Sequence, residues 1–131
     1  MSFADEVKSF QLGSMQQVEK VRNLIILKLF TAVIMGSPVD TGRFRANWMI
    51  TEGEPSNETK DDVDESGSLT IKNVMNFLEG GKHKVVFLTN NLPYAERLEY
   101  EGWSEQAKQG MVRINVARFD RFVSEAIQES K

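Results

Sequence analysis

The sequence predicts an α+β fold, with two long helices packed on a small, mostly antiparallel β-sheet and a mobile acidic loop. Three observations carry that expectation. From Ser14 onward the apolar residues Val18, Val21, Ile25, Leu29, Ala32 and Val33 recur at three- and four-residue spacing, the periodicity of an amphipathic helix. A second stripe, Val112, Val116, Phe119, Phe122, Val123, Ala126 and Ile127, runs toward the C-terminus. Between them lie two short β-type patterns separated by a run of acidic residues. The whole, residues 1–131, is expected to form a single α+β domain with 52–67 as its flexible acidic loop.

Each element follows from local chemistry. Ser14 can cap the first helix, which becomes apolar almost all round near its end, and Gly36 followed by Pro38 stops it. In Arg43–Thr51 the positions Phe44, Trp48 and Ile50 alternate with Arg45, Asn47 and Met49, which predicts a half-buried strand. Ser68–Leu78 suits either a strand running into a helix or one short helix closed by Gly80 and Gly81, and the helix is preferred. Lys84–Thr89, with Val85, Val86, Phe87 and Leu88, predicts a buried strand closed by Asn90, Asn91 and Pro93. Tyr94–Glu101 predicts a helical turn with Arg97 and Glu101 four residues apart, stopped by Gly102. The second long helix starts at Met111, and no internal repeat is visible.

Composition narrows the function. A chain of 131 residues can bury about two-thirds of its unfolded surface, enough for one hydrophobic core. It has no cysteine, so disulfides, thiolate metal sites and thiol nucleophiles are excluded. Met1–Leu12, with Asp5, Glu6 and Lys8 among apolar residues, does not have the pattern of a signal peptide. Leu24–Met35 is interrupted by Lys28 and Thr31 and is shorter than the ~20 residues that span a bilayer. The formal net charge of −3 is uneven: Glu52–Glu65 holds seven acidic residues and one lysine, while the rest of the chain carries +3. That segment is too polar to offset its ordering entropy by burial, hence the mobile loop.

Catalytic chemistry is scarce. His83 is the only histidine, set between Lys82 and Lys84 after a double glycine, and is expected as an exposed loop residue. Asp61, Asp62, Asp64 and Glu65 lack calcium-loop spacing, and Gly80-Gly81 does not open a helix as a phosphate loop would. Asp40-Thr41-Gly42 is the tripeptide of aspartic proteases, in which a dimer can pair two carboxylates. Here a long helix precedes it and Arg43 and Arg45 follow, which favours an ionised Asp40 and a plain turn. No catalytic, metal or cofactor-binding residue is expected.

Ser37-Pro38-Val39-Asp40-Thr41-Gly42-Arg43-Phe44-Arg45-Ala46-Asn47-Trp48, following a long helix, resembles the neck and tail-completion family of long-tailed bacteriophages. Asn90-Asn91-Leu92-Pro93-Tyr94-Ala95-Glu96-Arg97-Leu98-Glu99, continuing through Gly102-Trp103-Ser104-Glu105-Gln106-Ala107 to Gly110-Met111-Val112, resembles the C-terminal half of the same family. The family pattern differs at Phe44, where leucine is more usual, and at Lys108, where proline is. The resemblance implies a non-enzymatic virion protein at the head-tail junction, assembled in the host cytoplasm, that joins the tail tube to the head connector or stopper. It implies a homo-oligomeric ring, a hexamer by expectation, through which DNA passes without sequence-specific binding and without a membrane. A ring demands heterologous contacts. Arg43, Arg45, Trp48, Tyr94, Arg97 and Trp103 are the candidate interface residues, because Trp, Tyr and Arg dominate binding hot spots. Trp48 and Trp103 are equally suited to filling the core. A tail-terminator ring is the alternative within this class, and a dimeric aspartic protease the alternative outside it.

Overall fold

A computed structural model describes residues 15–131. Ser14, the expected helix cap, and the Met1–Leu12 stretch lie outside the described residues. The chain is mixed helix and sheet, with six α-helices and a two-stranded antiparallel sheet among the described residues.

Helix α1, Met15–Met35, is the axis of the molecule. Its apolar residues surround the helix because it is contacted from more than one side: by α3, Ser68–Glu79, and by α5, Val112–Val116, and α6, Phe119–Glu129. Two hydrophobic clusters result where one core was expected. The larger joins Val33 and Ile34 of α1 to Phe44, Trp48, Val74, Leu78, Leu92, Leu98, Ala107 and Met111. The smaller joins Val21, Leu24 and Ile25 to Val123, Ala126 and Ile127. Both depend on removing apolar surface from water, worth about 25 cal/mol per Å².

Several expected elements are present. α1 ends before Gly36 and Pro38, α3 ends at Glu79 with Gly80 as its cap, and α4 occupies Ala95–Tyr100. Strand β2, Val86–Thr89, pairs with β1, Met49–Glu52, in the register Met49 to Thr89 through Glu52 to Val86.

The expected strand at Arg43–Thr51 is only partly present. Arg43–Ala46 forms a helical turn, α2, and β1 starts at Met49. β2 ends opposite Met49, so the preceding residues have no ladder partner. Phe44 and Trp48 are buried as expected, but Ile50 is only half-buried and Asn47, expected to face outward, is fully buried, because the turn of helix breaks the alternation of a strand. The expected second long helix is also divided, at Ala117 and Arg118. The break lets α5 cross the end of α1, where the Asn115 side chain donates to the Ala32 carbonyl at 3.2 Å, while α6 packs on earlier turns of α1. Consequently Val112 and Val116, expected in the core, are exposed, and Asn115 is buried instead.

Candidate functional site

The segment Ser37–Trp48 forms a corner whose polar groups are nearly all committed. Arg45 donates to three carbonyls, from Nε to Ser37 at 3.1 Å, from Nη1 to Glu65 at 2.7 Å and from Nη2 to Met35 at 2.8 Å. It thereby satisfies a carbonyl at the end of α1, which the helix itself leaves without a partner. Trp48 Nε1 donates to Ser37 Oγ at 2.8 Å, and Ser37 Oγ donates to the Val33 carbonyl at 2.7 Å. Gly42 stands at φ 92, a left-handed conformation that glycine adopts without steric cost, and its carbonyl accepts from Ala46 N and Asp64 N. A Cβ at Gly42 would lie 2.6 Å from Glu65 N, so the tripeptide's glycine is fixed by the acidic segment running against it. Asp-Thr-Gly therefore connects two helices, and Asp40 is exposed. Thr41 Oγ1 accepts from Arg43 N at 3.2 Å, as a turn residue does.

The second motif block folds onto this corner. Phe44 packs against Trp48 edge-on and against Tyr94, with both centroid separations 5.8 Å. Asn90 Nδ2 donates to the Phe44 carbonyl at 2.9 Å. Gln106 exchanges two hydrogen bonds of 2.9 Å with the backbone of Val39. A cleft of about 240 Å³ remains between the blocks, lined by Asp40, Thr41, Tyr94 and Ser104 among others.

The six candidate interface residues thus divide. Trp48 is buried, Arg45 holds three backbone carbonyls, and Tyr94 is half-buried against the core. Arg43 is turned toward the acidic segment, donating to the Lys60 carbonyl at 3.2 Å and lying 3.4 Å from Asp61. Arg97 and Trp103 stand at the surface, the guanidinium 4.5 Å above the indole ring and Trp103 57% exposed. The ion pair expected from the spacing of Arg97 and Glu101 is present at 3.8 Å.

Two partners were missed. Tyr100 is 65% exposed, and the Arg113 guanidinium sits 4.7 Å from its ring centroid. Tyr100 lies three residues after Arg97 on α4, a spacing that places both on one side of a helix and could have been read from the sequence. The organiser of this surface is Glu99, which is buried. Its Oε1 accepts from Met111 N and Val112 N at 2.8 Å each, and its Oε2 from Arg113 N and Arg113 Nε at 3.0 Å each. Burial pushes the Glu99 carboxyl upward, but the backbone N–H groups of Val112, Arg113 and Met111 together with the Arg113 side chain outweigh it and hold it below the usual range. One carboxylate therefore caps α5 and aims Arg113 at Tyr100. Gly110, at φ 80, makes this possible, since a Cβ there would fall 2.5 Å from Glu99 Oε2.

The acidic segment lacks regular secondary structure between β1 and α3 but is hydrogen-bonded along its length. Asn47 pairs with Lys60 as a strand would, accepting from Lys60 N and donating to its carbonyl, both at 2.9 Å. Asn91 Nδ2 donates to the carbonyls of Ser56 and Glu58. Asp64 Oδ2 accepts from Thr70 N and Oγ1 and so caps α3. Burial pushes Asp64 upward, and the Thr70, Leu69 and Gly67 donors more than offset that, lowering it. His83 is not the exposed loop residue expected. It stacks on Phe77 at 4.2 Å and is hydrogen-bonded through both ring nitrogens, because the turn after α3 folds it back onto that helix.

Among the described residues no group of three or more His, Cys, Asp or Glu side chains is arranged to hold a metal ion, and no helix is long and apolar enough to cross a membrane. Comparison with protein-family models, with curated proteins and with solved structures returns no match to this chain.

Proposed function

We propose that this chain is a structural, non-enzymatic subunit of a long-tailed phage, a tail-completion or neck protein that joins the tail tube to the head connector as part of a homo-oligomeric ring. One observation carries the reading. The two sequence blocks that resemble the family, 42 residues apart, are a single packed unit here, joined by Val39–Gln106, Phe44–Tyr94 and Asn90–Phe44. Residues that define a motif in sequence thus build one scaffold in space. That scaffold presents Arg97, Tyr100, Trp103 and Arg113 outward in two cation–π pairs, the residue types that anchor protein interfaces.

In this reading α1 and the α5–α6 pair are the rigid frame, and the acidic segment is pinned at Ser56 and Glu58 by Asn91 and at Lys60 by Asn47, with Glu54 and Glu58 exposed on its tip, 53–59. The tip's charge repels DNA phosphates where it lines a channel, within the ~8 Å reach of electrostatics at physiological salt. The isolated subunit is a monomer that assembles on its template, since no long heptad seam is present.

The test is genetic. Removing the chain from the genome that encodes it is expected to leave filled heads and finished tails that do not join, and restoring it in trans restores particles. Tails of uncontrolled length would assign it to a terminator ring instead. Normal particles would overturn the proposal.

A further inference from the structure

The loop between α3 and β2 is held by a contact that only one protonation state of histidine can make. His83 Nδ1 faces Oε2 of Glu52, at the end of β1, and Nε2 lies 2.9 Å from the Phe77 carbonyl in the last turn of α3. Both partners are acceptors, a carboxylate and a carbonyl oxygen. A neutral imidazole has one N–H and one lone pair, so it can serve one of them and must present its lone pair to the other. The imidazolium serves both. Stacking on Phe77 fixes the ring plane, so the side chain cannot turn away without losing that contact as well.

We propose that His83 is a pH-operated latch. Doubly protonated, it clamps the loop at Gly80–Val85 to β1 and α3; deprotonated, it loosens that side of the loop and reshapes the groove that the loop borders beside α1. That groove comprises a cavity of about 450 Å³ lined by Val18, Arg22, Asn23 and the loop residues Gly81–Lys84. It adjoins an apolar one of about 530 Å³ that includes Leu24, Leu27 and Met75.

The charged groups around the latch come from β1, α1 and the loop itself, while α3 contributes the Phe77 ring and carbonyl. β1 supplies Glu52, and α1 supplies Arg22, whose Nη2 donates to the Lys84 carbonyl at 3.0 Å, and Glu19, 3.7 Å from the Lys82 ammonium. Lys82 and Lys84 flank His83 on the loop itself. The hydrogen bond to Glu52 raises the imidazole above its ordinary value of 6.5, reinforced by the Phe77 carbonyl and opposed by partial burial and Arg22. A raised folded value means that the clamp is complete below about 6.5 and is lost as pH rises through the folded value. The tethers from Arg22 to Lys84 and from Glu19 to Lys82 do not involve the imidazole and hold the α1 side of the loop in both states, so loosening is confined to its contacts with β1 and α3. Histidine is the one side chain that ordinarily titrates between pH 5 and 8, and this chain has only one.

That single histidine makes the test unambiguous. Proton NMR titration of the full chain should show one imidazole titrating above 6.5. Hydrogen exchange, corrected for the intrinsic rate, should show protection of the Gly53 amide, whose 2.9 Å bond to the Val85 carbonyl joins the loop to β1, falling by roughly threefold to tenfold from pH 5.5 to pH 8.5, the scale of one lost hydrogen bond. Glu52→Gln should bring the titration back toward 6.5 and flatten the protection profile although His83 remains. His83→Phe, which keeps the stack, should be pH-independent and poorly protected at both pH values. An imidazole titrating at or below 6.5, or protection of the Gly53 amide that does not change with pH in the parent chain, overturns the proposal.

Discussion

Replacing Glu99 by Gln tests whether one buried carboxylate holds α5 and the exposed arginine surface together. Gln can still offer an oxygen to Met111 N and Val112 N, each 2.8 Å from Oε1, but the Arg113 N–H and Nε, each 3.0 Å from Oε2, then face an amide nitrogen. A hydrogen bond to a charged group contributes about 1.5–3 kcal/mol, and the bonds that survive fall to about half their strength. The Arg113 side chain is half-exposed, so its ion pair adds less than about 1 kcal/mol. Because these bonds share one carboxylate their losses do not add in full, and the expected loss is about 2–4 kcal/mol. At roughly 3–4 °C per kcal/mol for a chain of this length, the midpoint should fall by about 6–15 °C at pH 7. Glu99 is held below its ordinary value of 4.5, so its contribution is full above that value and disappears as pH falls through the folded one. Thermal unfolding of parent and variant, followed by circular dichroism from pH 7 down to pH 3.5, should therefore show the two midpoints converging toward acid. A midpoint within about 2 °C of the parent at pH 7, or a deficit equally large at both ends of the series, would refute the reasoning.

The remaining predictions address the corner, the tripeptide and the surface. Gly42→Ala should lose about 2–5 kcal/mol in urea unfolding, from the left-handed backbone and the 2.6 Å approach to Glu65 N. Gly53→Ala, with φ 80 but nothing within 4 Å, should lose only about 1–2 kcal/mol, and equal losses would show that the acidic segment does not press on Gly42. Asp40→Asn should leave the melting midpoint and particle assembly unchanged, because Asp40 is exposed and asparagine serves the same turn. Peptide cleavage by the parent that disappears in this variant would reinstate the protease alternative. Tyr100→Ala and Trp103→Ala should alter stability by less than about 1 kcal/mol yet each weaken attachment to tails by about 2 kcal/mol, as hot-spot residues do, and normal attachment by both variants would remove this face from the interface. Neutralising the acidic tip at Glu54 and Glu58 should leave stability intact. Asp64→Asn should instead cost about 1 kcal/mol by weakening the cap of α3, which separates the tip's charge from the segment's structural role.

Periodicity was enough to place α1, whereas at Ser68–Leu78 it fitted either a helix or a strand running into one. There Val74 and Leu78 are buried but Leu69 and Met75 are exposed, and β2, expected as a buried strand, is half-buried with Val85 exposed, because a two-stranded sheet leaves much of its surface uncovered. The stop at Gly36 and Pro38 and the turn at Asp40-Thr41-Gly42 were likewise legible, since they depend on backbone preferences that act within a few residues. Arg45, Asn47 and Glu99 could not be assigned their roles in this way. Their partners lie 10 to 20 residues away or on separate elements, and an arginine that satisfies three carbonyls looks in sequence like one that binds a partner. The same holds for Val112 and Val116, whose spacing matches a buried stripe but which face outward once Asn115 docks on Ala32 and the helix breaks at Ala117. The acidic segment shows the division most plainly. Its charge and lack of regular structure follow from composition, whereas its course over the corner was decided by Asn47, Asn91 and Gly42, whose side chains or missing side chain meet the segment's backbone only after the chain has folded.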